Sequence, residues 1–74
     1  MMWLLHDWEP YAARMGCKLL KGDLDHIRNY LPRVRIDRQK AVMKEYVRIW
    51  LEAAGDPKNQ NKGRFAANQY MLEL

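Results

Sequence analysis

Serine and threonine occur nowhere in the 74 residues, and cysteine occurs once, at Cys17. The first absence removes the commonest hydroxyl nucleophiles. The second rules out an intramolecular disulfide and a zinc site built from cysteines alone. A lone cysteine fits a reducing cytoplasm. Histidine is sparse too: His6 and His26 match no H-x-x-x-H or E-x-x-H spacing. Each stands next to an aspartate, and neighbouring side chains diverge on a helix. No glycine-rich phosphate loop is present. Cys17 beside Lys18 reads either as a thiol of lowered pKa or as a small packing residue, and packing is the commoner role. The chain is therefore read as non-enzymatic, with no cofactor and no metal.

Long apolar runs are missing as well. Nothing approaches the roughly 18 residues that cross a bilayer. The opening "MMWLL" is too short for a signal sequence and has no basic segment before it. No membrane association is expected, and the cytoplasm is the expected location. Strand signals are also few. With three Val, three Ile and no Thr, no stretch alternates convincingly.

What is present is apolar bulk and positive charge. Apolar residues make up 49% of the chain and include three Trp, enough for one small core. A chain of this length buries only about 60% of the surface its unfolded form exposes, so apolar surface is left over for a partner. Thirteen basic residues against nine acidic give a net charge of +4, which favours nucleic acid, an anionic membrane or an acidic protein surface without choosing among them.

Four helical segments in one domain, residues 1–74, predict an all-α bundle of three or four helices. The first runs from about Trp3 to Met15, with Leu4, Leu5, Trp8, Tyr11, Ala12 and Met15 at helical spacing. Pro10 fits if Asp7 is the N-cap; otherwise the helix starts earlier and kinks. Gly16 ends it. The second, Leu24 to Leu31, follows a break at Gly22 and a cap at Asp23, and Pro32 stops it. The third, Arg38 to Ala54, has Asp37 as N-cap, an Ile36–Ala41 staple and Gly55 as its end. It presents Val42, Tyr46, Ile49, Trp50 and Ala53 on one face, and Trp50 is the expected centre of the core. Its apolar arc covers roughly half the circumference, so either two neighbouring helices pack on it or part of it is exposed for a partner. "GDPKNQNKG", Gly55 to Gly63, reads as a loop. The last helix, Arg64 to Leu72, is apolar almost all round, so it is either buried on most sides or lies in an interface.

The candidate interaction residues gather in two places. Arg33 and Arg35 lie in the connection after Pro32, Arg38 opens the third helix, and Lys40, Lys44 and Arg48 recur every fourth residue. That pattern suits phosphate contacts, yet Glu45 and Glu52 stand at salt-bridging distance from Arg48, as on an ordinary solvated face. The connection "PRVRID" is too long for a helix-turn-helix. In the last helix, Asn68 lies between Met71 and Leu72 on the helical wheel, one turn after Arg64. It either bonds structurally to the backbone of "PRVRID" or contacts a partner together with Arg64.

"LP" at Leu31–Pro32, "EYVRIW" at Glu45–Trp50 and "GRFAANQYM" at Gly63–Met71 together resemble small phage and prophage accessory proteins. One group of these is similar to phage modulators of the host RecBCD nuclease. The resemblance covers the last 44 or so residues. The chain has Tyr70–Met71 where the pattern carries an aromatic–Leu pair. The resemblance implies a non-catalytic inhibitor or adaptor that binds a host DNA-processing or defence complex. Direct nucleic-acid binding through residues 33–48 is the alternative, and self-association through the last helix a third reading.

Overall fold

The computed structural model describes residues 5–56 and 58–74, with side chains from Trp8 onward. The expected start at Trp3, the core position Leu4 and Pro57 lie outside these residues. Four α-helices follow one another: α1 (Leu5–Met15), α2 (Lys21–Tyr30), α3 (Ile36–Ala54) and α4 (Gln60–Leu72). A 3-10 turn, Leu31–Arg33, joins α2 to α3. No strand occurs among the described residues.

Pro10 lies inside α1 rather than in a first turn opened by Asp7. The helix therefore begins earlier, and the carbonyl of His6 loses its usual i+4 donor. Gly16 ends α1 as expected, at φ +100. The N–H of Gly16 donates to the carbonyl of Ala13 and that of Cys17 to the carbonyl of Ala12, the paired bonds of a Schellman cap. Ala12 and Cys17 are both buried, which supplies the apolar contact that accompanies such a cap. At the end of α3, Gly55 (φ +66) closes a single bond to the carbonyl of Leu51.

Three expected helix starts are displaced. Gly22 does not break the chain: α2 opens at Lys21, and Asp23 lies in its first turn. α3 opens at Ile36 with Arg35 as its cap residue, so Asp37 lies inside the first turn, where a carboxylate suits the helix dipole. The Ile36–Ala41 staple does not form, since Ile36 is 53% exposed as the first helical residue. The connection is held instead by Gln39, whose buried amide nitrogen donates to the carbonyls of Val34 (3.0 Å) and Leu31 (3.4 Å).

The third displacement has the clearest physical cause. α4 starts at Gln60, so Gly63 lies within the helix and not at the end of a loop. It is buried against Trp50. A Cβ built there would stand 2.5 Å from both Cδ1 and the backbone oxygen of Trp50. Only a glycine lets α4 approach α3 this closely. Trp50 is fully buried at the centre of the core, with Trp8, Tyr46, Met43, Val47, Ala67 and Met71. Trp8 meets Tyr46 edge-on at 5.4 Å. α3 packs on both α4 and α1, which accounts for its wide apolar arc. Ala53, expected on the core face, is exposed.

Gly63→Ala tests this contact. At an ordinary helical position the change gains about 1 kcal/mol. Here it should lose about 1–3 kcal/mol through overpacking against Trp50, and Trp50→Ala should lose roughly 3–5 kcal/mol. Urea denaturation reads both. A Gly63→Ala midpoint at or above the wild-type value contradicts the close approach.

Candidate functional site

The expected basic surface divides once its side chains are placed. Arg33, Arg35, Arg38, Lys40, Lys44 and Arg48 are all exposed. Arg35 pairs with Asp37 at 3.4 Å. Arg48 is gripped between Glu45 and Glu52, the latter at 2.6 Å. The hydrogen bond from Arg48 pulls the Glu45 carboxyl below its ordinary range, and the same bond raises Arg48. Arg33 lies over the ring of Tyr30, 4.7 Å from its centroid. Arg38 and Lys44 project from the outer side of α3 and form no ion pair among the described residues. The surface is thus a mixed-charge face, with acids interleaved among its arginines. Among the aromatic residues, Trp8, Tyr46 and Trp50 are fully buried and so out of reach of any base stacking on this surface.

Arg64 and Asn68 are placed elsewhere, around a single buried carboxylate. Asp23 is 3% exposed. Its Oδ2 accepts from Arg64 Nε at 2.6 Å and from the Leu20 amide at 2.9 Å; its Oδ1 accepts from Asn68 Nδ2 at 2.9 Å. Asn68 Oδ1 in turn accepts from the Tyr46 hydroxyl at 2.7 Å. Asn68 therefore does not bond to the "PRVRID" connection as expected; its side chain ties α2 to α3. Its backbone carbonyl accepts from His26 Nε2 at 3.0 Å, which fixes the hydrogen on that nitrogen. Tyr46 has its phenol raised well above the ordinary range, first by burial and then by the charge of Asp23.

Gln60 and Arg64 also hold the extended segment between α1 and α2. Gln60 donates to the carbonyl of Gly16 (3.1 Å) and accepts from the Lys18 amide (3.0 Å) and from Trp50 Nε1 (3.1 Å). Arg64 Nη2 donates to the carbonyl of Lys18 (2.8 Å), and the guanidinium lies 5.1 Å from the Trp50 ring centroid. Asp23, read in the sequence as a helix cap, and Gln60, read as loop, are the organising residues that sequence reasoning missed. A signal was there: Arg64 and Asn68, one turn apart on an apolar helix, require a common polar partner.

Beyond this cluster, the outer side of α4 is open. Phe65, the one phenylalanine, is 73% exposed and Leu72 is 49% exposed. They line a shallow groove with Asn61, Arg64, Asn68 and Gln69. α4 is thus buried on one side only, through Ala67 and Met71. No cluster of His, Cys, Asp or Glu able to hold a metal occurs among the described residues. No helix among them is long and apolar enough to cross a membrane. Cys17 is buried, and burial pushes its thiol up from 9.0 to about 11. This opposes the reading of a lowered pKa beside Lys18. Comparison with known proteins finds no matching family model, no matching curated protein and no matching solved structure.

Two predictions follow from these placements. Arg64→Ala leaves the Asp23 carboxylate buried without its cation and should cost about 3–5 kcal/mol; Asn68→Ala should cost about 1–3 kcal/mol. Retention of the wild-type urea midpoint by both variants contradicts the network. The second concerns alkali. The folded chain keeps the Cys17 thiol protonated to a higher pH than the unfolded chain does. Stability should therefore hold up to about pH 9 and fall by roughly 2–3 kcal/mol through pH 11. Tyr46, whose phenol is also raised, adds to the fall above about pH 10. Cys17→Ala should therefore flatten it chiefly between about pH 9 and 10, as read by denaturation at stepped pH. An equally steep fall in Cys17→Ala would assign it to other groups.

Proposed function

We propose that this chain is a small non-catalytic binding module that docks on another protein through the outer side of α4. The observation that carries the reading is the exposure of Phe65. A helix locked against its neighbour by Gly63 and by the Asp23 cluster holds a large aromatic residue in water, with Leu72 one heptad further along. Exposed aromatic residues on rigid elements are the usual anchors of protein interfaces. The finer reading rests on the resemblance of "EYVRIW" and "GRFAANQYM" to phage accessory proteins. It makes the chain an inhibitor or adaptor of a host DNA-processing or defence complex, acting in the cytoplasm, where a free thiol such as Cys17 stays reduced.

Direct nucleic-acid binding is the second reading. It is favoured by Arg33, Arg38 and Lys44, which are exposed and form no ion pair among the described residues. Glu45, Glu52 and Asp37 weigh against it, because they set negative charge among the cations that would meet phosphates.

Affinity capture from a nuclease-treated bacterial lysate, with the captured proteins identified, separates the readings. The expected result is subunits of a DNA-processing or defence complex retained by the wild type and lost with Phe65→Ala. Phe65 is mostly in water, so this variant should keep the wild-type urea midpoint. Capture that is indifferent to Phe65→Ala overturns docking through α4. Capture abolished by nuclease, and by Arg38→Ala with Lys44→Ala, favours nucleic acid.

A further inference from the structure

The α4 groove has a charge pattern that selects among protein partners. Phe65 and Leu72, seven residues apart, point within about 20° of one another around the helix. Lys62 lies about 60° to one side of Phe65 and Arg64 about 100° to the other. Next to Arg64 runs the segment that carries Lys18, fixed by bonds from both Lys18 backbone groups to Gln60 and Arg64. Lys58 precedes the helix, and no side chain caps its N-terminus. Lys18, Lys58 and Lys62 are all exposed. Arg64 is only 18% exposed, and its charge is already answered by Asp23. The groove's lining is apolar at Phe65 and Leu72 and otherwise amide and arginine, with no acidic residue. The lysines stand outside that lining, around the N-terminal end of α4.

We propose that the groove takes a short acidic–apolar helical segment of the partner protein. The segment's apolar side chains rest on Phe65 and Leu72, and its carboxylates lie at the Lys18–Lys62 end of α4. This inference rests on the reading of α4 as the docking surface. A helix laid along a groove buries its own apolar stripe, and three lysines at one end set its direction. A second copy of this chain laid parallel on the groove would bring the same lysines toward one another.

Two synthetic helical peptides test the proposal. They share one leucine stripe and carry either glutamate or lysine at the remaining positions. Each is titrated into the full isotope-labelled chain, and amide shifts are followed. The glutamate peptide should shift Lys18, Lys62, Phe65 and Leu72. Its affinity should fall at least about tenfold in Phe65→Ala, the scale of losing one anchoring aromatic. It should also weaken in Lys62→Glu and at high salt. Equal binding by the lysine peptide overturns the charge selection. Shifts confined to Lys40–Arg48 overturn the site, and concentration-dependent shifts of Phe65 and Leu72 without peptide assign the groove to a second copy. Absence of peptide binding, alongside protein capture that still depends on Phe65, retires the acidic segment and leaves docking through α4 intact. Loss of that dependence instead retires the underlying reading.

Discussion

One buried carboxylate decides how the helices of this small protein are arranged. Asp23 accepts three hydrogen bonds from two distant stretches of chain: one from the turn before α2 and two from α4, through Arg64 and Asn68. A buried charge left short of partners costs several kcal/mol, so arrangements that separate these donors are strongly penalised. Apolar burial alone tolerates sliding and rotation of one helix on another. A carboxylate with directional donors does not. Tyr46 extends the constraint into the core: its hydroxyl reaches Asn68 while its ring meets Trp8 and Trp50. Polar fixation and apolar packing thus meet in a single side chain.

The close contact at Gly63 makes that arrangement attainable. With no Cβ in the way, α4 lies near enough to α3 for the Arg64 guanidinium to cover the Trp50 ring and still reach Asp23. The surplus apolar character of α4 then has only one place to go. Ala67 and Met71 face inward, and Phe65 and Leu72 face water. The outward surface on which the functional reading depends is a consequence of how the inward one is fastened.

Much of the fold was legible in the sequence because its signals are local. The period of α3, the glycines that end α1 and α3, and the central place of Trp50 all follow from spacing and turn chemistry. The starts of α2 and α3 fall two or three residues earlier than their cap residues suggest, with Asp23 capping from within the first turn and Gln39 tying the connection. The start of α4, by contrast, is displaced by a tertiary partner. Gly22 and Gly63 read as breakers, yet both sit inside helices. At Gly63 the reason is a neighbour thirteen residues back in the chain, Trp50, which no local pattern announces. Arg64 and Asn68 stood out correctly as unusual, but Asp23 lies more than forty residues away, and nothing local couples them. The basic face of α3 was visible as a pattern. Its partial neutralisation by Glu45 and Glu52 was visible too, since i,i+3 and i,i+4 pairs are local.

The segment between α1 and α2 has its backbone groups satisfied by side chains of α4. Gly16, Lys18 and Leu20 rely on Gln60, on Arg64 and on the Asp23 that Arg64 holds. On a ribosome, residues 16–20 are made some forty residues before residues 60–64. The first half of the nascent chain can form helical turns, but it has no means of fixing the path between them. Folding is therefore held back until α4 is made, and it then closes contacts of long sequence separation in one late step. Until that step Trp8, Tyr46 and Trp50 lack their final cover.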